Sequence, residues 1–201
     1  LLNEEATKKK QRLQDAFQGL QFHRMCDDLD NWMNDIESAL SNEDHGKDII
    51  SCQNLLKKHH MLEVDVNNHG ENIEQVKDLA LNFAQNNHFL KDEIQERSVA
   101  INTKYASLHE PVQIRRENLE DALVQHQFKH DVEDEIDWLN EKESHLINGE
   151  LGSSLAMVQN LQKKHSAYEA EISAREQLIT ALIKKGWNLI KSKHFASTQI
   201  E

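Results

Sequence analysis

A single constant offset governs this chain. Trp32 returns as Trp138, Gly46 as Gly152 and His59 as His165, each 106 residues later. Gln53-Asn54-Leu55 returns as Gln159-Asn160-Leu161, His88-Phe89 as His194-Phe195, and Ile94 as Ile200. Leu13 and Phe22 keep the same interval to Leu119 and Phe128. No gap interrupts the offset, so the sequence is a tandem duplication, and any candidate site has to be weighed against its second copy. A period of 106 residues also means that each unit holds several secondary-structure elements.

Within the period, apolar residues recur at helical spacing. In a first helix, A, the stripe is Phe22, Met25, Leu29, Trp32, Ile36 and Leu40, with Leu13, Phe17 and Leu20 upstream in a slightly shifted register. In helix B it is Cys52, Leu56, His59, Leu62, Val66, Ile73, Val76, Leu79 and Phe83; in helix C it is Ile94, Ile101, Tyr105 and Leu108. One proline and six glycines in 201 residues leave few turns of the kind that strands require. Each stripe is too narrow to be stable alone in water, and three helices packed seam to seam bury all three. The fold class is therefore all-α, as tandem three-helix coiled-coil bundles joined by a continuous or kinked linker helix.

The breaks fall where the stripes stop. Residues 41–46 separate A from B with capping residues and Gly46, matched by residues 148–152; residues 85–88 separate B from C. Residues 89–140 keep helical patterning almost throughout, which predicts one long helix shared by the two units. Its only proline, Pro111, removes a backbone hydrogen bond and crowds the preceding turn, which predicts a bend or loosening near residues 107–112. The units are then residues 5–110 (helix A about 5–41, B about 47–84, C about 89–109) and 111–201 (A about 111–147, B about 153–190), with residues 1–4 ending a preceding linker helix. In the second unit helix C is cut short. That leaves an uncovered seam of Phe128, Trp138, Leu155, Val158, Tyr168, Ile172, Ile179 and Leu182.

Composition excludes several function classes. The net charge of −12, with lysine pairs interleaved among acids, argues against nucleic acid, which needs clustered Lys and Arg. The polar faces of the helices are acidic, unlike those of membrane-surface helices, and no run approaches the length of a transmembrane span. Two cysteines, Cys26 and Cys52, at apolar positions read as small core residues in a reduced cytoplasmic protein.

His59, His60 and Glu63 invite a metal-site reading, but adjacent helical residues point about 100° apart. Ser166 also replaces His60 in the second copy, so the repeated element is one helix-B histidine in a packed position. His126 and His130 have the i, i+4 spacing of zinc sites; their counterparts are Leu20 and Arg24, and the sequence offers no third ligand. There is no paired Glu-x-x-His signature, no Gly-rich phosphate loop and no pocket for a nucleophile in a filled bundle. The expectation is no catalytic residue, no metal and no cofactor.

The 106-residue period, the helix-A tryptophan, Leu55-Leu56-Lys57-Lys58-His59 with Glu63 four residues on, and Arg115-Arg116-x-x-Leu119-Glu120 resemble spectrin repeats over nearly the whole chain. Gly46-Lys47-Asp48 and the His-Phe pairs resemble an alpha chain more than a beta chain. Where the family has a helix-C tryptophan, Tyr105 stands here. The resemblance implies left-handed three-helix bundles strung into a flexible, elastic rod. That rod would lie in the membrane skeleton on the inner face of the plasma membrane, pair laterally and antiparallel with a partner spectrin chain, and join the actin network only through other parts of the full-length protein. It also leaves an alternative: a docking module that uses the Pro111 junction for an adaptor, or the open seam of the second repeat for a helix supplied in trans.

Overall fold

The computed structural model describes residues 2–86, 88–147 and 149–192. Among these residues there are five helices and no strand: α1 (Leu2–Leu40), α2 (Ile49–Asn68), α3 (Gly70–Gln85), α4 (Lys91–Ile147) and α5 (Leu155–Lys191). The chain divides into two compact units, Leu1–Gly46 with Gln53–Leu119, and Lys47–Cys52 with Glu120–Glu201. The boundary between Leu119 and Glu120 lies inside α4.

The first unit is a packed three-layer bundle. Phe22, Cys26, Leu29, Met33 and Ile36 of α1 face Val66 of α2, Ile73, Val76 and Ala80 of α3, and Ile94, Ile101, Leu108 and Val112 of α4. All are buried, and Cys26 and Met33 are wholly so. Trp32, Leu40, Leu62, Leu79, Phe83 and Tyr105 pack half-buried against this core. The periodic stripes of helices A, B and C thus form the interior, joined by Cys26, Met33, Ala80 and Val112, which lie outside those stripes. The upstream residues Leu13, Phe17 and Leu20 differ: all three are exposed, Leu13 and Phe17 because they precede the buried stretch of α1 that starts at Gly19, and Leu20 because it faces away from the core within that stretch.

Helix B, expected over about 47–84, carries a one-residue irregularity at His69 between α2 and α3; the His69 backbone stays helical (φ −73°, ψ −10°), and the bonds from the His69 N–H to the Asp65 carbonyl at 3.2 Å and from the Ile73 N–H to the His69 carbonyl at 3.1 Å bridge it. The local sequence is Asn67-Asn68-His69-Gly70, and all four residues have weak helix propensity. A Cβ at Gly70 would lie 3.2 Å from the Tyr105 hydroxyl, so the small residue also makes room for helix C. In the second unit the same positions read Ser173-Ala174-Arg175-Glu176, and α5 runs unbroken. Along α4 the helix continues through Pro111 without interruption.

Both A–B loops use glycine where the backbone is left-handed, Gly46 at φ 85° and Gly152 at φ 76°. Two residues after each glycine comes an N-cap. The Asp48 carboxylate accepts from the Ser51 N–H at 2.7 Å, and the Ser154 hydroxyl accepts from the Met157 N–H at 3.3 Å. The Ser51 N–H and hydroxyl hold the Asp48 carboxyl below its usual range. The expected start of a second helix C, His194-Phe195 to Ile200, lies outside the described residues.

In the second unit, α5 lies along the part of α4 that follows Leu119. Gly186 is the one buried residue of α5. The seam residues Phe128, Trp138, Val158, Tyr168, Ile179 and Leu182 are half-buried, Ile172 is 41% exposed and Leu155 is 76% exposed.

Candidate functional site

His59 is 5% exposed, and its Nε2–H donates to the Val112 carbonyl of α4 at 2.9 Å. The Glu63 carboxylate lies 3.6 Å from the same nitrogen, and exposed His60 approaches it at 3.4 Å. Both histidines therefore reach Glu63, although they do not point in one direction. Arg116 closes the group, with its guanidinium 3.2 Å from Glu63. Arg115 next to it donates to the Asn42 and Asp44 carbonyls of the A–B loop. These contacts tie the α4 segment just past Pro111 to α2 and to that loop.

The electrostatics suit a structural histidine. Burial lowers the His59 pKa, outweighing the upward pull of the Val112 carbonyl and Glu63, and Arg115 and Arg116 lower it further. The ring is neutral at pH 7, and its hydrogen-bond donor is committed to the backbone. Among the described residues no group of three or more His, Cys, Asp or Glu side chains is placed to hold a metal ion. His130 pairs with Asp134 at 3.1 Å on the surface of α4. His165, the counterpart of His59, is exposed and lies 3.6 Å from Glu169. The expected packed position holds for His59 and not for His165, because Val112 and its neighbours cover the first histidine and no described segment covers the second.

A second histidine with a tertiary role went unnoticed in the sequence. His88 donates from Nε2 to the Asp15 carbonyl at 3.0 Å and accepts at Nδ1 from the Leu90 N–H at 3.1 Å, which ties the B–C turn to α1. Its recurrence in the His-Phe pair was the signal that could have found it.

Around Trp32 the polar atoms are likewise spoken for. The indole N–H donates to Asp65 at 2.8 Å, and its ring stacks on His69 with centroids 3.7 Å apart. The Tyr105 hydroxyl donates to the Val66 carbonyl at 2.9 Å, and His69 Nδ1–H to the Asp65 carbonyl at 2.9 Å, both beside the helix-B irregularity. Trp138 has other company: the Arg175 guanidinium sits 4.7 Å and the Lys142 ammonium 5.7 Å from its ring centre.

The remaining candidate is the apolar face of the second unit. A groove of about 340 Å³ lies between α4 and α5, lined by Phe128, Val132, Leu139, Ile179, Leu182 and Trp187 among others. Trp187 is 62% exposed and Ile136 50%. No described helix is long and apolar enough to cross a membrane.

Two stretches of this chain, residues 18–121 and 124–201, match the family model for the spectrin repeat. The chain belongs to the spectrin repeat family. It is 32% identical over 199 residues to the mouse spectrin alpha chain, erythrocytic 1, which covers 99% of this chain and 8% of that one. It is 29% identical over 199 residues to the human spectrin beta chain, non-erythrocytic 5, covering 99% of this chain and 5% of that one. The fruit-fly (Drosophila melanogaster) spectrin beta chain is 32% identical over 206 residues, covering 96% of this chain and 9% of that one. The chain thus spans less than a tenth of these relatives' lengths. An alpha chain and a beta chain both match at 32% identity, so similarity does not separate the two types. As a pair of spectrin repeats, the chain is a structural, cytoskeletal, non-enzymatic module.

Proposed function

We propose that this chain is a rod segment of a spectrin-type membrane-skeleton protein, giving length, flexibility and elasticity. The observation that carries the reading is the gapless 106-residue duplication with one helix, α4, running from the first unit into the second. Such an arrangement lets tension pass along the chain and be relieved unit by unit. Within the full-length protein the segment pairs laterally and antiparallel with a partner spectrin chain on the inner face of the plasma membrane and reaches actin indirectly. We assign the segment no catalytic, metal or cofactor role, and His59 serves packing. Small-angle X-ray scattering tests the rod: a radius of gyration well above the about 16–17 Å of a compact 201-residue globule is expected, and a value near it overturns the reading.

A second reading is favoured by the apolar face of the second unit, which invites a helix supplied in trans, and by the Pro111 junction, which invites an adaptor. Sedimentation across a concentration series separates the first from a simple rod, since helix donation raises the mass with concentration. For the junction, Pro111→Ala that alters flexibility and leaves every pull-down partner in place removes the adaptor idea.

A further inference from the structure

Subtracting 106 from the second unit's numbering exposes a difference between the two copies. Asp131 stands at the position of Met25, Glu135 at that of Leu29, Lys142 at that of Ile36 and Lys185 at that of Leu79. In the first unit Leu29 and Ile36 are core residues, and Met25 and Leu79 pack against the core. Four interior positions have therefore become charged. Each charge is paired across the two helices: Asp131 with Lys185 at 2.9 Å, Glu135 with Arg175 at 2.8 Å and Lys142 with Glu171 at 2.7 Å. Position rises along α4 as it falls along α5, which is the order an antiparallel hairpin demands.

The ladder also fixes register. If α5 slid by one turn, about four residues, Glu135 would face Glu171 in one direction and Lys142 would face Arg175 in the other. Both slips place like charges together. Lys142, Glu135 and Arg175 are half-buried (15%, 20% and 33% exposed) and their partners 20–49% exposed, so solvent screens the Lys142 and Glu135 rungs less than a surface pair, and the Asp131–Lys185 rung more than those two. By contrast, α1 and α3 of the first unit meet through Phe22, Ile73, Val76, Ala80 and Phe83, with the Phe22 and Phe83 rings edge to face at 6.0 Å.

We infer that the α4–α5 hairpin of the second unit is zippered by this ion-pair ladder, making it an ionic-strength-sensitive element where the matching contact of α1 with α2 and α3 is not. The inference does not depend on the rod reading, since it concerns the two helices of one unit.

Hydrogen exchange on the whole chain tests it. Raising salt from about 0.1 M to about 1 M shortens the screening length from about 10 Å to about 3 Å. Amides of α5 between Tyr168 and Lys185 are expected to lose about threefold to tenfold in protection, and those of α3 less than about twofold. Salt-independent protection in α5, equal sensitivity in α3, or no protection in α5 even at low salt overturns the inference. Lys185→Asp, which faces Asp131 with a like charge, is expected to lower low-salt protection by about threefold or more. The swap of Asp131→Lys with Lys185→Asp is expected to recover most of that loss. A swap no better than the single substitution rules the ladder out as the zipper.

Discussion

Burial costs His59 its positive charge. An imidazole in the unfolded chain titrates near about 6.5, and the buried ring titrates lower. Between those two values the unfolded chain binds more protons than the folded one, so stability falls as pH drops through that window and is fully present above it. The first unit should therefore unfold at a constant urea concentration from pH 7 to 8 and at progressively lower concentrations below about 6.5. His59→Gln keeps an N–H for the Val112 carbonyl and cannot titrate. Its urea midpoint should fall less steeply with acid than that of the parent, and parallel curves would show that another group sets the slope. Trp32 carries the larger packing energy. Trp32→Ala loses an indole that stacks on His69 and donates to Asp65, and should cost about 3 kcal/mol in urea denaturation. Trp138→Ala should cost less, because part of that ring's contact is with the Arg175 and Lys142 cations. Helical spacing made His59's seam position legible, but not its acceptor. That carbonyl belongs to Val112, 53 residues away on another helix, and no local pattern encodes such a distance.

At the scale of elements, the stripes of helices A and C were legible because each buried position repeats every three or four residues. The one-residue irregularity at His69 in helix B was not, because the apolar stripe carries on across it: Val66 and Ile73 both enter the core. Asn67-Asn68-His69-Gly70 was the available signal, and the second copy supplies the control, since Ser173-Ala174-Arg175-Glu176 leaves α5 whole. The A–B loops were better marked. Gly46 and Gly152 recur at the offset and both hold left-handed backbone that an L side chain adopts with strain. Gly46→Ala and Gly152→Ala should each cost about 1–2 kcal/mol. At Gly152 an added Cβ also meets Met157 Cβ at 3.0 Å, which adds steric crowding to the backbone strain there. Thermal unfolding of the two single variants checks both, and an unchanged midpoint in either would mean that its loop relaxes to another turn.

For the whole molecule the duplication is constant in spacing but unequal in interior. The offset foretold two units of one kind. It did not reveal that Leu29 and Ile36 become Glu135 and Lys142, because an apolar stripe is made of apolar residues and a charge at a stripe position only shortens it. The first unit buries side chains from four helices, whereas among the described residues of the second only Cys52, Ala122 and Gly186 are buried. With about 25 cal/mol gained per Å² of apolar surface removed from water, the first unit should be the more stable. Urea unfolding followed by one tryptophan at a time makes this visible. A variant that keeps Trp32 alone reports the first unit, and one that keeps Trp138 alone reports the second. The Trp138 midpoint should come at lower urea, with two transitions that do not coincide. Coincident transitions would mean that α4, continuous through Pro111 and shared by both units, couples them into one cooperative block, so that the helix itself outweighs the difference between the two interiors.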